Sequence, residues 1–519
     1  MISGVLRPAV IATAFAALAA TAASAQTRPA QFVLVGPIES YALDPGDALT
    51  GATMVVEGTT VTIPRNLIVQ MPATFLTSRD IFDLNPKAPG TESGLAIADA
   101  TPLPGDYQAT IVGNIVDSRH IAGLVWIAQD QLAEGAGYIR DIAGNGEITV
   151  VADPTPAASP TQPVTRLRIN DPNSVYAPAD PNPMVDTRFM VDEENPTIHS
   201  MTGYPMCVPR SDNDPECPPG NRPLGDDGAP LARFVMGKDP LPVAPAGSPE
   251  LPPCPPPVGL QDGCNPEKQA PLRRGDYIVF AGTLAEDGAG RYISAHTVEA
   301  NVGIYTQPGV GPAYLVIEVS LMGTMGPRVP RDPASPGGPF LDQETQDRLR
   351  VEGATTDPTP AIDVYAIDVD SSGNETVRFL TVAPRKEPPY GRFNIVLGKA
   401  ANALFDGNGT LRGAPREILV RLRRQARLPD GSPVPTGPTF ANGLVAGQYR
   451  APVGEFIFPE NKTVGDPILP NNFECLSFLV TGTGNLTTNG HNGPPVGQLD
   501  PWPGATAPQP VPAGIFCGP

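Results

Sequence analysis

What this chain has little of narrows its function before any pattern is read. Aromatic residues make up 6% of its 519 positions, and only two of them are tryptophans, Trp126 and Trp502. Stacking platforms for sugar rings or single-stranded nucleic acid are therefore poorly supplied. Positive charge is short as well: 35 Lys and Arg stand against 54 Asp and Glu, a net charge of −19. A field of that sign repels a phosphate backbone, which argues against nucleic acid as a partner. The four histidines, His120, His199, His296 and His491, are scattered, with none three or four residues from another. No H-E-x-x-H metal helix can be written from them. The chain also lacks G-x-S-x-G, the phosphate-cradling Walker A loop and a G-x-G-x-x-G after a strand, so no cofactor is implied.

Long apolar runs are missing too, except at the start. Arg7 is followed by an Ala-rich stretch from Pro8 to Ala23, and Ala23, Ser24 and Ala25 fit a small-x-small cleavage site. The run is short for a membrane span, and its flanks are those of a secretory signal covering residues 1–25. The expected mature protein is secreted or periplasmic, with no transmembrane segment after cleavage.

What is abundant is Gly (54) and Pro (66), roughly a quarter of the chain. That proportion borders on disorder by composition, yet the 40% hydrophobic content supports folded units with long loops. Between the loops the signals are short alternating strands bounded by turn residues. Two stretches echo each other: GDYQATIVGNIVDSRHIAGLVWI from Gly105 and GDYIVFAGTLAEDGAGRYISAHTVEA from Gly275. Each reads as a hairpin with glycine at a bend. Upstream, Gly36 to Ser40 matches Gly137 to Asp141, and Val61 to Ile63 matches the end of Thr165 to Ile169. Five or so short strands per copy predict a small OB-like closed barrel. One spans residues 32–129 and one spans 136–306, the second interrupted by a Pro- and Cys-rich insertion at 176–274 whose flanks close on each other in space. Residues 72–104 have room for one short helix. From 307 to 465 spaced strands follow the rhythm of an immunoglobulin-like β-sandwich, with a brief helix or turn expected at Asp342 to Arg350. Residues 466–519 form a Gly/Pro-rich tail, expected to be free beyond Thr481 but for Cys517. The expected fold class is all-β, with helix scarce.

Six cysteines in an exported chain point to disulfides. Cys207 and Cys217 have the same spacing as Cys254 and Cys264, and Cys475 and Cys517 bracket the tail. Six allow 15 pairings; nearest-neighbour pairing needs no long-range partner. A four-cysteine zinc site would want a shorter C-x₂₋₄-C knuckle.

Candidate chemistry is thin. Glu193 and Glu194, beside Asp192 and five to six residues before His199, could supply an acid and a base, though a solvated charge run has the same appearance. Asp368 opens a calcium-like loop, but Phe379 stands where a bidentate carboxylate belongs, so a polar hairpin turn accounts for it better. Asp406, Asn408 and Glu417 have that carboxylate at the right distance, yet Leu411 replaces the required glycine. Arg416, Arg421, Arg423, Arg424 and Arg427 read as a solvated strand edge, with a polyanion site as the alternative.

The segments NPTIHSMTGYPMCVPRSDNDPECPPGNRP and ANGLVAGQYRAPVGEFIFPEN resemble stretches of a family of secreted bacterial and fungal proteins of unknown function. The repeat, a Gly-x-Ile strand, a V-x-I-P hairpin and a later G-D hairpin, is similar to small OB-like bacterial β-barrel domains. The resemblance implies no activity and carries over no site residues.

These readings lead to an exported, non-enzymatic binding or structural protein whose partner is another protein or an envelope or matrix component. The rivals are a hydrolase built on the insertion's carboxylates and a calcium-stabilised adhesin. N-terminal sequencing of protein recovered from envelope or medium is expected to begin at Gln26. Non-reducing peptide mapping is expected to link Cys207 to Cys217, Cys254 to Cys264 and Cys475 to Cys517.

Overall fold

Alternation of apolar and polar residues builds each sheet of this protein. In the computed structural model the described residues are 29–72, 75–129, 133–143, 146–153, 155, 162–170, 180–189, 198–200, 272, 275–300, 315–323, 343–344, 349–355, 361–369, 375–383, 392–397, 417–423, 448–458, 460–461, 470–471, 473 and 499–504. They form an all-β chain with one six-residue α-helix and no helix long and apolar enough to cross a membrane.

The first barrel comprises β1 (Ala30–Leu43), β2 (Ala52–Val56), β3 (Thr59–Ile63), β4 (Ile68–Gln70), β5 (Phe75–Thr77), α1 (Ser78–Asp83), β6 (Tyr107–Val116) and β7 (Arg119–Gln129). In β2 and β3, Ala52, Met54, Val56, Val61 and Ile63 point into the core at 1% exposure or less, and the residues between them face out. Glu57 and Gly58, both at positive φ, make the tight turn between them. The sheet runs β3-β2-β1-β6-β7-β4-β5, and parallel pairing of β3 with β7 closes five strands into a barrel. A meander of three strands, then a hairpin whose second strand pairs parallel with the third, is the OB strand order. Helix α1 lies in the connection between the meander and the hairpin, and Thr77 starts it with a reciprocal capping box to Asp80.

The second barrel repeats this plan with β8 (Ala133–Ile142), β9 (Ile148–Val151), β10 (Thr165–Ile169), β11 (Ile198–Ser200), β12 (Tyr277–Asp287) and β13 (Gly290–Ala300). β10 pairs parallel with β13 and β12 antiparallel with β8, so the two flanks of the insertion do close on each other. The correspondence extends to irregularities. β1 bulges between Ile38 and Ser40, and β8 bulges between Ile139 and Asp141. β6 slips register at Gly113 and β12 at Gly282. A side chain at either glycine would collide with the facing strand, since a Cβ would lie 2.2 Å from the Ile121 carbonyl oxygen or 2.4 Å from that of Ser294. Glycine is what lets these strands bend sharply enough to close a small barrel.

Beyond residue 314 the elements are β14 (Leu315–Gly323), β15 (Gln343–Glu344), β16 (Leu349–Thr355), β17 (Ile362–Val369), β18 (Glu375–Ala383), β19 (Arg392–Leu397), β20 (Glu417–Leu422), β21 (Gln448–Pro452), β22 (Glu455–Ile457) and β23 (Glu460–Asn461). They make two four-stranded sheets, β19-β16-β14-β22 and β18-β17-β20-β21, with β15 paired to β23. Val351, Ile395 and Leu349 from one sheet share a core with Val364, Ile418 and Val420 from the other.

Three expectations need correction. At Asp342 to Arg350, where a brief helix or turn is expected, the described residues 343–344 and 349–350 are instead strand, in β15 and β16, and the residues between them lie outside those described. Of the arginine run, the described Arg421 and Arg423 do not lie on an edge strand, because β20 sits between β17 and β21. Arg421 lies over the Tyr365 ring at 5.4 Å, and Arg423 pairs with Asp363 at 2.7 Å. Nor is the tail free beyond Thr481. Leu499 is fully buried, and Asp500 forms a β-bridge with Arg65 of the first barrel. A run rich in Gly and Pro still buries whatever apolar side chains it carries when a surface is there to receive them.

The units are joined by a few buried polar groups. Residues 180–189, from the insertion, run back to the first barrel, where Arg188 is completely buried. Its guanidinium forms a two-point pair with Asp186 at 2.7 and 2.9 Å and donates to the carbonyls of Ile81 at 2.6 Å and Ser93 at 2.5 Å. Like any helix, α1 leaves its last carbonyls without intrahelical partners; backbone amides meet those of Asp80 and Phe82, and Arg188 caps that of Ile81. Near by, burial pushes the Tyr41 hydroxyl up to about 12, while its bond to Ser78 and the Arg188 charge pull the other way. Gln129, at the end of β7, accepts from the Leu284 amide of the second barrel at 2.6 Å.

Removing Arg188 while leaving Asp186 strands a buried carboxylate and two carbonyls. Arg188→Met is expected to lower stability by about 3–5 kcal/mol, read as an early transition in thermal unfolding. The double variant Arg188→Met/Asp186→Leu, which leaves no buried charge, is expected to recover part of that loss.

Candidate functional site

Two charged clusters lie on the second barrel and its borders, and they differ in kind. The first is closed. Arg166 and Arg168 project from β10 at 18% and 9% exposure. Arg166 forms two-point pairs with Glu147, at 2.8 and 2.8 Å, and with Asp287, at 3.0 and 2.9 Å. Arg168 donates to the same two carboxylates at 2.7 and 2.6 Å and to Asp180 at 3.2 Å. Its guanidinium sits 4.3 Å from the centre of the Tyr292 ring, whose hydroxyl donates to Asp180 at 2.8 Å. Every oxygen of Glu147 and Asp287 thus accepts from a guanidinium. Hydrogen bonds from Arg166 are the main reason both carboxyls are held below their ordinary range. Burial pushes the Tyr292 hydroxyl up to about 12. Chemically this is a cross-link: it staples the β12–β13 turn and the start of the insertion to the barrel wall.

The second cluster is strained electrostatically. The outer face of β14, β16 and β19 carries Glu318, Glu352, Arg350, Arg392 and Asn394. Arg392 donates to both oxygens of Glu318 at 3.1 and 3.2 Å. Glu352 accepts from Arg350 at 2.7 and 3.0 Å and also from Asn394. The end of β13 brings Glu299 toward this face. Burial, and then the Glu318 charge, raise the Glu299 carboxyl; burial raises Glu318 as well, with Arg392 opposing and Glu352 adding to the rise. Carboxyls held above their normal range beside like charge are the kind of group that can retain a proton.

No known protein family, curated protein or solved structure matches this chain. Position and chemistry therefore carry the reading alone.

Of the residues singled out by sequence, His199 lies in β11, directly in register with Glu299 of β13. Glu417 lies in β20 at 5% exposure, opposite Ile367 and Pro452. Glu193, Glu194, Asp406, Asn408 and the cysteines Cys207, Cys217, Cys254, Cys264, Cys475 and Cys517 lie outside the described residues, as does the segment 1–25. Among the described residues no group of three or more His, Cys, Asp or Glu is placed to hold a metal ion. His296 is held by burial down at about 4, with Nδ1 3.0 Å from the Thr297 hydroxyl. Sequence reading missed Glu299, Glu318 and the Arg166 network. A pair of arginines two apart on a strand, Arg166 and Arg168, was the one visible signal, since both side chains leave the same face.

The clusters respond to pH with opposite sign. Glu147 has a lowered carboxyl, so its contribution is present above the unfolded carboxylate range and is lost as pH falls below that range and through its own lowered value. Glu299 has a raised carboxyl, so it favours the fold at low pH and opposes it as pH rises through its own value. Glu147→Gln is expected to reduce stability by about 1–3 kcal/mol at pH 7, the deficit shrinking toward pH 4. Glu299→Gln is expected to raise it by a few tenths to about 1 kcal/mol at pH 7 after solvent screening, the gain also vanishing toward pH 4. Melting temperatures of both variants across pH 4–8 check the signs.

Proposed function

We propose that this chain is an exported, non-enzymatic binding or structural protein of the cell envelope or extracellular space, its partner another protein or an envelope or matrix component. One observation carries the reading: the most heavily engaged charged groups are cross-links. Arg188 caps a helix of the first barrel from a segment of the second, and Arg166 and Arg168 staple loops to a barrel wall. Polar groups spent in this way hold β units rigid and leave the loops for display. Matching strand order and bulges support reading the two barrels as an internal repeat. Strands β14, β16 and β19 in one sheet, facing β18-β17-β20-β21, support an immunoglobulin-like sandwich for the third unit.

A hydrolase is the second reading, favoured by the raised carboxyls of Glu299 and Glu318 beside the position of His199. The two readings separate in one experiment. The purified mature chain is expected to bind saturably to isolated envelope or matrix material. It is also expected to show no turnover of ester, glycoside or peptide substrates above a heat-denatured control. Turnover that falls on Glu299→Gln, Glu318→Gln or Glu193→Gln would replace the scaffold reading with the hydrolase.

A further inference from the structure

The two barrels share a strand plan, so their outer surfaces compare position by position. In the first, Val112 precedes the slipped Gly113 and faces Val33, and Thr110 faces Val35. In the second, Ala281 precedes the slipped Gly282 and faces Glu134, and Val279 faces Ala136. One strand further over, Thr110 faces Trp126 where Val279 faces Glu299. Alternation turns Val33 and Val35 outward, as it does Glu134 and Ala136. The second barrel thus carries carboxylates, Glu134 and Glu299, where the first carries Val33 and Trp126.

On the first barrel this surface ends in an open strand edge. Ala30 to Pro37 pair with β6 on one side. On the other side β2 begins to pair only at Ile38, and no described residue bonds the main chain of Ala30 to Pro37 there. Val33 and Val35 are 62% and 54% exposed. The stretch AQFVLVGP holds no charged residue, and its neighbours on β6, Gln108, Thr110 and Val112, are uncharged as well. An unpaired edge is a template for another strand, and folds commonly guard it with a charge, a proline or a bulge. Glu134, exposed at the corresponding place in the second barrel, is such a guard. In the first barrel only Pro37, at the far end, interrupts the run of donors.

Charge narrows what fits there. Copies of a chain with net charge −19 repel each other over most of their surface. The β1 edge is a place where two of them meet without setting like charges together. The strand that complements it is uncharged, with apolar side chains two residues apart, and β1 is itself such a strand. Antiparallel pairing about a two-fold axis at Leu34 sets Val33 of each copy beside Val35 of the other, both pairs on one face. The charge at the end of the edge is Glu57, whose side chain lies against Gly36. The same pairing carries Gln31 of the other copy, an uncharged donor, to that end. We propose that the β1 edge of the first barrel joins two copies of this chain, strand to strand, into a symmetric dimer. This joint forms equally in a scaffold or a hydrolase.

Sedimentation equilibrium of the full chain, over a concentration series reaching hundreds of micromolar, tests this. A monomer–dimer equilibrium is expected, tightening as added salt screens the repulsion between copies. Val33→Glu is expected to raise the dissociation constant at least about tenfold. The second barrel folds with glutamate at this position, so the melting temperature of the dilute variant is expected to match that of the unaltered chain. Val35→Ala, again the second barrel's residue, is expected to weaken the dimer by a smaller factor, and Glu134→Gln to leave it unchanged. A chain that sediments as a monomer throughout overturns the dimer. A dimer whose dissociation constant is the same with Val33→Glu and with Val35→Ala overturns this edge as its interface, and a dimer that loosens with salt overturns an uncharged one.

Discussion

The cost of burying polar groups organises this molecule. Arg188 has lost all contact with solvent, and a guanidinium so placed is tolerable only if its charge and donors are met. Asp186 supplies the charge. The carbonyls of Ile81 and Ser93, in the helical connection of the first barrel, supply acceptors. The segment carrying Arg188 belongs to the second barrel's insertion, so satisfying one side chain fixes the position of one unit against the other. Asn114 imposes the same requirement from the first barrel: its buried amide is met by the main chain of Asn471 and Pro503 in the tail.

These joints differ from the cores they connect. Each barrel closes through apolar alternation and a glycine bend, and one contiguous set of buried apolar side chains runs from the first barrel to the sandwich with Phe473 and Leu499 among its members. Apolar burial is non-directional and tolerates several relative placements. The buried amide and guanidinium do not, because hydrogen bonds demand particular angles and distances. Cohesion thus comes from the apolar set and orientation from a few polar residues. The raised carboxyls of Glu299 and Glu318 are the counterexample, a place where like charges are held together and the fold gains from protonation.

Much of the architecture was legible in the residues. The match of Gly36 to Ser40 with Gly137 to Asp141 marks the same bulge in two barrels, and the GDY hairpins mark the same closing strands. Gly113 and Gly282 could be read as bends because only glycine admits so close a facing strand. The arginine run misled. Its alternation fits a solvated face, but alternation does not say whether a strand is central, and Arg421 and Arg423 flank the middle of a sheet by packing on Tyr365 and pairing with Asp363. The tail misled for a related reason: Gly and Pro predict an irregular backbone, which is compatible with Leu499 and Phe473 being buried against something else.

By itself, the sequence determined what depends on neighbours along the chain: strand periodicity, the turn at Glu57 and Gly58, and the capping box at Thr77. Tertiary structure alone decided which isolated polar residues became joints. Nothing near Arg188 in sequence other than Asp186 announces its role, and Asn114 is one asparagine among many until Asn471, 357 positions away, is brought to it. A single polar side chain has no period to read, and its burial is set by partners that only the folded chain assembles.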